Sequence, residues 1–193
     1  MDFINFDTLT SIALGIGLAA CSGFRVFLPL FFLSLSASLG FFSLNEGWQW
    51  LAHPSTVLLL GAATCAEVGA YFFPWLDNVL DTLAIPLAAL AGTLIMVSTV
   101  GDMHPAAGWS LAVIAGGGTA GGIKTGIGGT RLLSTSTTGG LANPIIAFIE
   151  TVLAVIGTLL TLLMPVLMLT AIIFTIIWLW RRRARRLAAQ SSA

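Results

Sequence analysis

The sequence predicts an all-α integral membrane protein of about six membrane segments arranged as three plus three, and three observations carry that expectation. Hydrophobic residues make up 57% of the 193 positions and charged residues only 8%, where a soluble domain carries about 25% charged residues. Mean hydropathy is +0.99, and long apolar runs alternate with short polar turns. Five of the eight basic residues crowd into the run 181–186, and the other three, Arg25, Lys124 and Arg131, sit in or beside apolar, glycine-rich stretches. A cation is costly in hydrocarbon, so each of these three needs an acidic partner, a watery cavity or an anionic ligand.

The first apolar run extends from Leu9 to Leu44. As one straight helix it would measure about 54 Å, against a hydrocarbon core of about 30 Å. A break is therefore expected at 19–23, with Pro29 weakening the helix beyond it, giving either a broken span or a re-entrant hairpin with Arg25 at the break. The first ten residues carry Asp2 and Asp7 but no basic residue, so this run reads as a retained span rather than a signal peptide. Residues 45–54 hold Glu46, Trp48 and Trp50, the composition of an interfacial segment. Ser55–Phe73 is a span with one acid, Glu67; Pro74–Asn78 is a turn; and a span from about Val79 to Val100 follows.

After the turn at Gly101–Pro105, a span from Trp109 is expected to dissolve near Ile123 into the glycines 121–129, leaving a second broken or re-entrant helix near Gly126–Arg131. Ser134–Gly140 is polar. Asn143-Pro144 opens a helix that carries Glu150 and ends near Met164-Pro165, and Val166–Trp180 is the last span. Residues 1–180 thus form one transmembrane domain, with halves at about 8–100 and 106–180, followed by a basic tail, 181–193. The positive-inside rule makes that tail cytoplasmic, and six full spans put the N-terminus on the same side. Gly23-x-Arg25 and Gly129-x-Arg131 share a frame, and Gly15 and Gly121 lie at the same offset. Three spans per half would orient such halves oppositely, which is the inverted repeat of many secondary transporters.

Two stretches, Leu133–Pro144 (LSTSTTGGLANP) and Ser22–Pro29 (SGFRVFLP), resemble signatures of the bacterial membrane family designated domain of unknown function 4126, over roughly residues 10–180. The resemblance implies a multi-pass protein of the bacterial inner (plasma) membrane and an acid following the Asn-Pro helix start, a position held here by Glu150. The seven-residue spacing from Lys124 to Arg131 is longer than in many members.

Arg25 and Arg131 read either as structural cations that cap broken-helix carbonyls or as a facing pair that binds phosphate or carboxylate. The planar guanidinium fork suits the second role. Lys124 is an interfacial cation if its span ends at Ile123. Glu67 and Glu150 are either ion-pair partners of the arginines or proton sites. Asp77 and Asp81, spaced i, i+4 at the start of a span, suit helix capping or a proton-coupling pair. Ser134, Thr137, Thr138 and Asn143 would supply neutral hydrogen bonds to a cavity. Cys21 and Cys65 lack metal-ligand spacing, and the glycine run 116–129 lacks a phosphate-loop pattern. No cofactor, metal, nucleic-acid or enzymatic pattern is present.

Three functions fit these residues. One is a small secondary transporter of an anionic solute, with proton coupling through the buried acids. The second is a lipid-phosphate carrier or flippase, which a laterally open groove would favour. The third is a non-transporting scaffold, which direct pairing of every arginine with an acid would favour. Membrane lipids and a small anion or lipid phosphate are the implied partners, and the small-residue faces suit a homodimer.

Overall fold

The computed structural model describes residues 6–70, 74–101 and 103–191, with side chains at 8–70, 83–101, 103–178 and 180–182. The described residues are helical and contain no strand. Helix α1, Phe6–Phe24, stops at Arg25, and α2, Phe27–Ser38, starts two residues later. The break required by the length of the apolar run therefore falls at Arg25–Val26. Pro29 is the third residue of α2, where a helix has no internal use for an N–H, so the missing donor is tolerated.

A 3-10 turn, Glu46–Ala52, follows α2 and is tied to it by the Ser34 hydroxyl, which donates to the Leu51 carbonyl. It bends by 63° into α3, Pro54–Gly69. Helix α3 returns antiparallel along α2: Gly61 backs onto the Phe31 ring, and Glu67 reaches Val26 and Phe27. With 12 and 16 residues, α2 and α3 measure about 18 and 24 Å, short of a bilayer core of about 30 Å. They form a re-entrant-type hairpin that leaves the break and comes back to it.

Helix α4, Pro74–Thr99, runs antiparallel to α1, so that Gly15 faces Met96 and Thr99. Helix α5, Pro105–Leu111, passes through a π-helical turn, Ala112–Gly117, into α6, Gly118–Thr138. That wider turn lies where α4 crosses: a Cβ added to Gly92 would stand 2.5 Å from the Gly116 carbonyl oxygen. Helices α3 and α5 open in the same way, with Pro54 or Pro105 in the first turn and the preceding histidine, His53 or His104, accepting a backbone N–H. Helix α7, Asn143–Leu163, breaks at Met164, and α8, Pro165–Ser191, folds back so that Met168 lies near Gly157.

Helix α1 is the axis of the bundle. Gly15 meets α4, Gly17 meets Thr161 of α7, and Gly23 meets Ala120 and Ile123 of α6. Small residues at such crossings let helices approach closely where lipid offers no hydrophobic drive between them. Leu18, Leu33, Ile95 and Met96 fill the spaces between. Among the described residues, α7 and Pro165–Arg182 are long and apolar enough to cross a membrane alone. A third crossing results if the bent pair Glu46–Ala52 and Pro54–Gly69 counts as one.

Two expectations need correcting. The helix break near Gly126–Arg131 is absent, because α6 continues unbroken to Thr138. In hydrocarbon an unpaired backbone is costlier than glycine's poor helix propensity, so this run stays helical. The shared Gly-x-Arg frame does not mark inverted halves. Helices α1 and α6 run parallel, with Gly23 at Ala120–Ile123 and Phe24 at Lys124, whereas inversion requires opposite directions. At Arg25 the chain reverses, which is the hairpin alternative of the two that the length of the apolar run left open. Thr10 lies beside Met164–Thr170, and Ala20–Phe24 beside Met168–Ile176, so α1 and α8 also run parallel.

The start of α1 and the end of α8 therefore occupy opposite ends of the bundle. Aromatic residues mark both: Trp48 stacks near Trp50 and Trp109 (5.9 and 6.2 Å between centroids) at one end, and Arg182 lies 5.1 Å from the Trp178 ring at the other. With Cys21 and exposed Cys65 replaced, cysteines placed at Thr8 and at Ser191 are expected to label from opposite faces of the membrane. Labelling from one face would contradict this register.

Candidate functional site

The break in α1–α2 leaves two open helix ends, and each meets a charge of opposite sign. At the end of α1, the last backbone bond runs from the Arg25 N–H to the Cys21 carbonyl (3.1 Å). The Phe24 carbonyl then accepts from the Lys124 ammonium of α6 (3.4 Å). At the start of α2, the Val26 and Phe27 N–H groups donate to the two carboxylate oxygens of Glu67 (2.7 and 3.0 Å). The carboxylate thus straddles the positive end of α2, where helix geometry favours an anion. The charges of Arg25 and Lys124 act on the same carboxylate. Gly23 makes this possible, because a side chain there would collide with Ala120 and Ile123 and push α6, with Lys124, away.

Arg25 turns toward α7. Its Nε and Nη2 donate to the Thr151 hydroxyl (3.0 and 2.6 Å), and Nη2 also donates to the Ala147 carbonyl (2.8 Å). One turn of α7 also carries Glu150, whose carboxylate takes Nε and Nη2 of Arg131 in a fork, both at 3.1 Å. The two arginines are thereby brought to one turn of one helix. Arg25, Lys124, Arg131 and Glu150 are 1%, 7%, 6% and 3% exposed. Glu67 is only half-buried, on a helix with no fully buried residue. Among the described charges of this set it is the least enclosed.

Lys124 is therefore not the interfacial cation that a span ending at Ile123 would make it, since α6 carries it into the bundle. The predicted hydroxyl lining is largely self-satisfied. Thr137 and Thr138 donate to carbonyls of their own helix, at Leu133 and Ser134 respectively. Asn143 donates to Thr135, while the Ser134 hydroxyl and the Asn143 carbonyl oxygen are buried with no hydrogen-bond partner. The side chains of Asp77 and Asp81 lie outside the described residues, as does Asp102. Sequence reasoning missed Thr151 and the Ala147 carbonyl. The signal was available: 147, 150 and 151 share one face of a helix that also buries Ala154, Gly157, Thr158 and Thr161. No group of His, Cys, Asp and Glu that could hold a metal occurs among the described residues.

Apolar helices around a buried set of charges define an integral membrane protein of helical-bundle type. The chain belongs to the family described as domain of unknown function (DUF4126), whose model matches residues 12–182. No curated protein and no solved structure matches it.

Proposed function

We propose that the protein is a small membrane carrier for an anionic solute, seated in the bacterial plasma membrane with the arginine-rich end of α8 in the cytoplasm. One observation carries this reading. A carboxylate already occupies the N-terminus of α2, held by two backbone N–H groups and flanked by Arg25 and Lys124. Glu67 is thus a tethered anion in a place built for one. A free phosphate or carboxylate would make the same two backbone bonds once Glu67 withdraws. Protonation of Glu67 weakens its grip, because a neutral carboxyl accepts from N–H less strongly than a carboxylate. Anion entry and proton uptake are coupled in this way. Helix α3 is peripheral and carries Glu67, so its displacement would open the site. The forked pair of Arg131 and Glu150 acts as the brace that fixes α6 against α7.

The test is uptake of labelled inorganic phosphate and succinate into proteoliposomes of the purified protein. Saturable uptake of at least one anion, driven by an inward proton gradient, is the expected result. Equal flux in protein-free vesicles would leave the fixed charges as a purely structural network, which is the scaffold reading favoured by the Arg131–Glu150 pair.

A further inference from the structure

Helix α8 packs chiefly against α1 and α7 and buries none of its residues along Pro165–Arg182. Near its basic end, Phe174, Ile177, Trp178, Arg181 and Arg182 line one open hollow. Their steps of three and four residues are those of a single helix face. That face turns outward, with Phe174 71% and Trp178 49% exposed and both arginines exposed. The Arg182 guanidinium lies 5.1 Å from the centre of the Trp178 ring, a cation–π contact that holds the charge where the apolar turns end. Over about 12 Å of helix the face thus passes from hydrocarbon, through an indole, to two guanidiniums. Acids are scarce around it. Residues 151–193 contain no Asp or Glu, the Glu150 carboxylate of α7 is held by Arg131, and the one acid within α1, Asp7, belongs to the opposite end of the bundle.

We propose that this face seats one anionic phospholipid, with its phosphate at Arg181 and Arg182 and its acyl chains along Phe174, Ile177 and Trp178. The inference stands apart from the carrier reading and uses none of its residues. Charge complementarity selects the head, because the arginines themselves line the hollow and the helices packed on α8 bring no acid to it. The apolar turns select a lipid over a soluble anion, which gains nothing from Phe174 and Ile177. A zwitterionic phospholipid offers the same phosphate but brings a cation of its own, which the run of five arginines in 181–186 repels. Depth agrees with this occupant. Pro165–Arg182 is long and apolar enough to cross a membrane, so Trp178, Trp180 and the first arginines stand at headgroup level, where basic residues gain from anionic lipid.

The test exposes the full chain in mild detergent to phosphatidylglycerol and phosphatidylcholine of equal acyl chains and counts bound lipids by native mass spectrometry. Wild type should retain one phosphatidylglycerol in preference to phosphatidylcholine. Arg181→Gln combined with Arg182→Gln should weaken that binding about 30-fold, at roughly fivefold for each arginine held near an anionic surface. Three arginines of the run remain in this variant, so the orientation of α8 is kept. Arg185→Gln combined with Arg186→Gln removes the same charge one turn beyond the hollow and should leave most of the binding. Equal losses in the two double variants would overturn the proposal, since the lipid would then answer to the total charge of the tail. Equal retention of the two lipids by wild type would overturn it as well, because charge would not be selecting the occupant. So would displacement of phosphatidylglycerol by an equal concentration of glycerol phosphate, which carries the anionic head without the chains.

Discussion

Glu150→Gln is expected to destabilise the protein by about 3–5 kcal/mol, the usual cost of removing one member of a buried ion pair. Arg131 donates two hydrogen bonds to that carboxylate, and both partners are buried. Glutamine keeps the shape and loses the charge, so the two forked bonds of the buried Arg131 guanidinium lose their charged acceptor. Denaturant or thermal unfolding in mild detergent measures the loss. The double variant Arg131→Met with Glu150→Leu removes both charges and should recover most of the stability, because apolar replacements of a buried pair are often neutral or better. A silent Glu150→Gln would mean that the pair does not brace α6 against α7.

Arg25→Gln is expected to weaken binding of inorganic phosphate roughly 10- to 150-fold, the equivalent of one charged hydrogen bond of about 1.5–3 kcal/mol. Arg25→Lys separates charge from geometry. It keeps the cation but loses the fork that reaches Thr151 and Ala147 together, so an intermediate loss is expected. Isothermal titration of each variant against phosphate decides between them. Equal affinity in wild type and Arg25→Gln would place the anion elsewhere.

The position of the first break was legible in the sequence because length is a hard constraint: residues 9–44 cannot cross a bilayer as one helix, and Arg25 stands at the weakest point. The pairing of Arg131 with Glu150 was also legible, as one of two alternatives, from the scarcity of intramembrane acids. The second break was not there. Gly126, Gly128 and Gly129 resembled the run before Arg25, yet a Cβ at any of them would meet nothing within 4 Å. They relieve no close approach, and the helix passes through them. Composition alone does not distinguish a glycine that packs from one that faces open space. The direction of α2 was likewise hidden, since the same apolar residues suit a continued span or a reversal. What decides it is the long-range bond from Glu67 to Val26 and Phe27, 41 and 40 residues apart, and hydrophobic periodicity carries no trace of that.

The central claim is that Glu67 holds the place of the transported anion, and titration of inorganic phosphate into wild type and Glu67→Gln at two pH values tests it most directly. Wild type should bind phosphate more tightly at the lower pH, where Glu67 carries a proton and Arg25 and Lys124, the charged groups facing it, keep their charge. Glu67→Gln should bind phosphate at least as tightly as wild type and lose the pH dependence, since no tethered carboxylate competes for the end of α2. Weaker binding in Glu67→Gln with the pH dependence intact would contradict the claim and leave Glu67 as a helix cap alone.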